Sequence, residues 1–88
     1  MNVRWTQPAL GDIAGAFAYI ARDNEEAAIR VVDELMAAGA GLEFHPRMGR
    51  PGRVRGTREL VVGKYILVYR EQDELVIVRV IHGARKRA

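Results

Sequence analysis

The side chains able to do chemistry are few, and they gather in the second half of the chain. His82 ends a β-branched run, "VIVRVIH" at residues 76–82, and its ordinary pKa suits a general acid or base near neutrality. Glu59 and Tyr69 fall on the neighbouring predicted strands. Phosphodiester cleavage needs a base, an acid and cations facing the transition-state charge. Arg58, Arg79 and Arg85 are candidates for those cations. The structural alternative is plain: a strand-end histidine bonded to backbone, and arginines on a solvent face. A second group, Arg47, Arg50, Arg53 and Arg55, lies within nine residues. Such a cluster neutralises phosphates or grips carboxylates of a protein segment bidentately. Few aromatics interleave with it, so base stacking has little support.

Residue types exclude other chemistries. The chain has no cysteine and no serine, so disulfides, thiolate metal sites and the familiar nucleophilic triads are out. The two histidines, His45 and His82, share no ligand spacing, so no metal site is expected. "MGRPGRVRG" has glycines without the GxxxxGK[ST] order or a preceding strand, so it is no phosphate loop. No cofactor is expected.

Charge is unevenly spread. Residues 1–46 hold three arginines against seven acids, a net of −4, and residues 47–88 hold eleven cations against four acids, a net of +7. A basic face meeting an acidic partner is the expectation. At 88 residues with 49% apolar content, the chain reads as a single domain, 1–88, with a small core and no covalent staples. Small cores of this kind often lean on a bound partner. No stretch is apolar for long enough to span a membrane, and "MNVRWTQPAL" lacks the pattern of a signal peptide. A cytoplasmic protein is expected.

These groups must be positioned by two kinds of element. "NVRW" reads as a short strand, followed by a helix capped by Thr6 or Gln7 with Pro8 in its first turn. Its apolar stripe is Leu10, Ile13, Ala14, Phe17, Ile20 and Ala21. Asp23 with Glu26 resembles a capping box for a second helix, with stripe Ile29, Val32, Leu35, Met36, Gly39 and Leu42. The short link predicts an antiparallel helix hairpin. Residues 45–56 form a Gly-, Pro- and Arg-rich loop. Then "TRELVV", "YILVYRE" and "LVIVRVIH" predict an antiparallel meander, with Gly63-Lys64 as a type II′ turn. The economical assembly is α+β: an N-terminal strand and a two-helix hairpin packed on a curved antiparallel sheet of about four strands.

The order of strand, helix hairpin, "HPRMGRPGRVRGTRELVVGKYILVYRE" and "VIVRVIHGARKR" resembles the RelE/ParE superfamily of bacterial type II toxins over nearly the whole chain. The resemblance implies a small toxin neutralised by an antitoxin encoded beside it. RelE-like members are ribosome-dependent mRNA endonucleases, commonly with an arginine just before the "LVY" stretch. Here Ile66 precedes Leu67-Val68-Tyr69, and an isoleucine cannot stabilise a developing phosphorane charge. On the RNase reading the catalytic set is Arg58, Glu59, His82 and Arg85.

ParE-like members are the better match, through "GRPGR" and "IHGAR". The resemblance then implies inhibition of DNA gyrase without catalytic groups of the toxin's own, a ParD-like antitoxin, and DNA contacted only through antitoxin or gyrase. On that reading His82, Arg85, Lys86 and Arg87 bind the target. Arg47, Arg50, Arg53, Arg55, Arg58 and Arg79 form a basic patch or antitoxin-binding surface. A third reading is a member that has lost toxicity and only binds its partner.

Overall fold

The computed structural model describes residues 1–85. Its elements are β1 (Val3–Trp5), α1 (Gln7–Ala21), α2 (Glu25–Gly41), β2 (Arg50–Pro51), β3 (Arg58–Val62), β4 (Tyr65–Glu71), β5 (Leu75–His82) and a closing 3₁₀ turn, Gly83–Arg85. They form one five-stranded sheet in the order β1-β5-β4-β3-β2, with the helix hairpin on one face. The α+β expectation holds. The sheet is mixed rather than wholly antiparallel, because β1 runs parallel to β5, and β2 adds a strand inside the expected loop.

Local chemistry sets the helix starts. Thr6 is extended, and its hydroxyl accepts from the Ala9 amide at 3.1 Å. Pro8 in that first turn has no amide to satisfy. The second cap is Asn24, not Asp23: Asn24 Oδ1 accepts from the Ala27 amide at 3.0 Å. The amides of Asp23 and Asn24 both bond the Ile20 carbonyl, so the chain leaves α1 only at Asn24 and the cap shifts by one residue.

The buried stripes also shift. On α1 the buried residues are Ala9, Ile13 and Ala16, while Leu10 is 43% exposed. On α2 they are Ala28, Leu35 and Gly39, with Leu42 just beyond, while Ile29 and Met36 face outward. Small residues face the sheet because the helices approach it closely. A Cβ on Gly39 would run into the Trp5 ring and come within 2.9 Å of Ile77 Cδ1.

The meander is as expected. β3 and β4 join through Gly63, whose φ is +60° and where no non-glycine has positive φ; this fits a type II′ turn. A register shift at Val68/Tyr69 leaves Val78 unpaired on β5. Tyr65, Leu67 and Tyr69 of β4 point under the helices with Leu75, Ile77 and Val80 of β5. No helix among the described residues is long and apolar enough to cross a membrane.

Candidate functional site

β4 is the central strand, and its two ends are built differently. At the far end the Tyr69 hydroxyl accepts from the Gly49 amide at 2.9 Å and donates to the Pro46 carbonyl at 2.8 Å. Arg58 Nη1 donates to the Gly49 carbonyl at 2.7 Å. Glu59, 5% exposed, accepts from the Arg53 amide at 3.1 Å and faces Arg50 Nη2 at 3.7 Å. Arg47 Nε sits 3.5 Å from Glu71. The Arg-rich loop is therefore fastened to the sheet through a buried tyrosine and a buried carboxylate. A carboxylate tolerates burial only with such partners.

At the near end, the Tyr65 ring meets the His82 ring edge-to-face, with centroids 5.2 Å apart. His82 Nδ1 accepts from the Ala84 amide at 3.2 Å, which leaves Nε2 as the protonated nitrogen of the neutral ring. Two grooves flank this pair. An apolar one of about 380 Å³ runs between Tyr19, Val31 and Leu35 of the helices and the β3–β4 turn. The other, about 590 Å³, follows α1 along the edge of β5.

That edge carries a feature that the sequence reading missed. β1 stops at Trp5, leaving β5 unpaired beyond Val78 on that side, and α1 supplies Asp12 instead. Asp12 Oδ2 accepts from the Val80 amide at 2.9 Å and from Arg79 Nε at 2.8 Å, and Oδ1 accepts from Arg79 Nη2 at 2.9 Å. The hydrogen-bonded guanidinium holds the Asp12 carboxyl below its ordinary pKa, against the opposing effect of partial burial and with help from the Val80 amide. Asp12 in turn raises Arg79. The available signal was an acid directly beside the buried Ile13, on the border of the apolar stripe.

The residues proposed for chemistry are not brought together. Arg58 lies opposite Tyr69, and His82 opposite Tyr65. Those tyrosines are four residues apart on β4, about 13 Å of strand, and β3 and β5 lie on opposite sides of it. Glu59 pairs with Val68 and so points to the helix-free face. Of the basic patch, Arg47, Arg50 and Arg79 each face a carboxylate, and Arg58 a carbonyl. Arg79 stands apart from the loop, clamped to α1; Arg55 is exposed.

The 83–85 turn is not a free tail. The Gly83 amide bonds the Lys64 carbonyl at 2.8 Å, and a Cβ there would be 3.8 Å from Ile66 Cδ1. Arg85 ends that turn, while Lys86 and Arg87 lie outside the described residues. No group of His, Asp and Glu that could hold a metal is found among the described residues.

The model of the family described as the ParE toxin of the type II toxin-antitoxin system, parDE, matches residues 3–87. This chain belongs to the ParE toxin family. A curated relative, the putative toxin Y4kP of Sinorhizobium fredii (strain NBRC 101917 / NGR234), is 42% identical over 84 residues, covering 93% of this chain and 88% of that protein. The fold matches a chain of the chromosomal ParDE toxin-antitoxin system from P. aeruginosa with a TM-score of 0.82 at 24% identity, covering 93% of this chain and 95% of that one. It also matches a chain of the toxin-antitoxin complex RelBE2 from Mycobacterium tuberculosis, with a TM-score of 0.71 at 30% identity over 92% of this chain and 95% of that one. The ParE-family chain is thus a toxin of a type II toxin-antitoxin system, with the RelE/ParE fold.

Proposed function

We propose that this toxin inhibits DNA gyrase in the cytoplasm, leaving cleaved DNA unsealed, and that a ParD-like antitoxin from the same operon neutralises it. The observation that carries the choice of target is Ile66. It sits on the helix-free face between Val61 of β3 and Ile81 of β5. That row of the face is therefore apolar where phosphoryl transfer would require a cation. The separation of Arg58, Glu59 and His82 supports the same reading. A RelE-like mRNA endonuclease is the second reading, favoured by the likeness to the RelBE2 chain. A member that only binds its antitoxin is the third.

One side-by-side assay separates them. Purified toxin is expected to inhibit gyrase supercoiling with accumulation of cleaved DNA, and to leave ribosome-bound mRNA intact. Site-specific mRNA cleavage that disappears in His82→Ala would instead establish the second reading. Neither activity, with antitoxin binding kept, would establish the third. Glu59→Ala is a poor probe of catalysis, since it also releases the Arg53 amide and the loop. Antitoxin association is expected to slow as salt rises, because the +7 half steers an acidic partner.

A further inference from the structure

The Arg-rich loop at residues 45–56 is a charged surface to which the proposed function gives no role. Its backbone is satisfied from within. The Gly49 and Arg53 amides bond Tyr69 and Glu59, the Gly52 amide bonds the Thr57 carbonyl at 2.7 Å, and the Thr57 amide bonds the Val54 carbonyl at 3.1 Å. What the loop offers outward is therefore side chains on a fixed frame. Arg47, Arg50, Arg53 and Arg55 are all exposed. Arg70 of β4 joins them, since a Cβ on Gly56 would lie 3.2 Å from its Nη1. With Arg58 that makes six arginines, against Glu59, Glu71 and Asp73, a net of +3. The nearby Arg4 and Glu74 cancel as a 2.9 Å pair.

These arginines are held more loosely than Arg79. Arg79 grips Asp12 through two hydrogen bonds, of 2.8 and 2.9 Å. Arg47 and Arg50 each approach a carboxylate through one longer contact, of 3.5 and 3.7 Å. A guanidinium carries five N–H donors in a fork that fits phosphate or carboxylate, so most of theirs are left to solvent.

The surroundings favour phosphates over an acidic protein segment. A protein segment could add to the outer edge of the sheet as a strand. That edge is β2, two residues long, and its Pro51 has no amide to donate. Nor does the loop offer an apolar stripe: its exposed Met48 and Val54 stand singly between arginines in "RMGRPGRVRG". A nucleic-acid backbone requires neither, because its sequence-independent affinity comes from cations on phosphates. A single strand would call for aromatic platforms, and residues 45–56 contain no Phe, Tyr or Trp.

We infer that the arginine loop binds the phosphate backbone of duplex DNA, through Arg47, Arg50, Arg55 and Arg70, without reading its sequence. This goes beyond the proposed function, in which DNA is met only through gyrase or antitoxin, and it does not require gyrase to be the target.

The test is fluorescence anisotropy of a labelled duplex of about 20 base pairs titrated with the full chain. A roughly micromolar Kd is expected at low salt, with log affinity falling against log salt at a slope of about −3 to −4. Arg47→Gln, Arg55→Gln and Arg70→Gln combined leave Arg50 on Glu59 and Arg58 on Gly49, so the melting curve should overlay that of the unaltered protein. The triple variant is expected to bind DNA at least tenfold more weakly, with a slope flatter by about three. Arg85→Gln, Lys86→Gln and Arg87→Gln combined, at the other basic group, are expected to change DNA affinity less than about twofold.

No binding to the duplex at low salt, or binding untouched by the loop variant, would overturn the inference. Loss in the tail variant instead would move the contact off the loop and overturn it equally. Tighter binding of a single strand of the same length would replace the ligand. Loss of antitoxin association in the loop variant, with DNA affinity unchanged, would hand the loop to a protein partner. The gyrase reading fails separately: duplex binding without inhibition of supercoiling would sink that reading and leave this inference standing, and inhibition without duplex binding would do the reverse.

Discussion

Tyr69 and Tyr65 stand on the same strand and the same face, four residues apart, and do different work. Tyr69 is fully buried, and its hydroxyl both accepts and donates. Around it the Arg58 and Glu59 contacts pin a glycine-rich loop to the sheet. Tyr65 is nearly as buried, at 7% exposure, but its hydroxyl has no protein partner among the described residues. Its ring instead supports His82 at the junction of two grooves. The residues that look most reactive in the sequence are thus split between an end that holds the fold and an end that meets solvent. Burial alone does not distinguish the two tyrosines; the hydrogen bonds do.

Removing the Tyr69 hydroxyl should erase this contrast at the largest cost. Tyr69→Phe leaves the buried Gly49 amide and the Pro46 carbonyl without their partner, a loss of about 2–3 kcal/mol. For a domain of this size that corresponds to a drop in Tm of roughly 10–20 °C. Tyr65→Phe should cost less than about 0.5 kcal/mol, as for a surface substitution that removes no partner. Thermal unfolding of the two variants side by side checks the pair. Equal shifts would mean that the loop is not held through Tyr69.

The sequence carried the element types well and their phases less well. The helix hairpin, the Gly63 turn and the meander follow from periodicity and turn chemistry, both local. The error in α1 came from weighting large apolar residues: Leu10 looked like core, but Ala9 and Ala16 are the contact because the helix lies close to β5. β2 is two residues long and exists only through its pairing with Arg58 and Glu59, a non-local cause that no pattern in "HPRMGRPGRVRG" encodes. The parallel seat of β1 is non-local in the same way. In the candidate site, the identities of Glu59 and Arg58 were legible, but their partners were not. An acid and a base adjacent in sequence read as chemistry until alternation sends them to opposite faces.

The β5 edge gives a smaller and pH-dependent effect. Asp12→Asn loses a charge-assisted clamp on Arg79 and a strong acceptor for the Val80 amide. Because Arg79 is largely solvated, the cost is about 1 kcal/mol rather than the full value for a buried pair. Asp12 has a folded-state pKa below its unfolded value of 3.8. Its contribution is therefore fully present above that unfolded value and is lost as pH falls through the lower, folded one. Denaturant midpoints of the two proteins should differ at pH 7 and converge in strong acid. A gap that widened on acidification would contradict the assignment.

The smallest effect on the fold, and the sharpest on function, is expected from the basic residues that follow β5 in the sequence. Arg85→Ala, Lys86→Ala and Arg87→Ala combined should leave the Tm within about 2 °C, because they remove charges and no apolar side chain. If those charges contact gyrase, each loss costs about 1–3 kcal/mol. Every 1.4 kcal/mol is tenfold in affinity, so inhibition of supercoiling should fall by more than tenfold while antitoxin still co-purifies. Deleting residues 83–88 is the less clean experiment, because it also removes the Gly83 bond to Lys64 and uncovers Ile66. The deletion should lower Tm where the triple substitution does not, and only the triple substitution separates target contact from support of the sheet. Full growth arrest by the triple variant, induced without antitoxin, would remove these cations from the mechanism and leave His82 and the two grooves beside Tyr65 as the part of this end that meets the target.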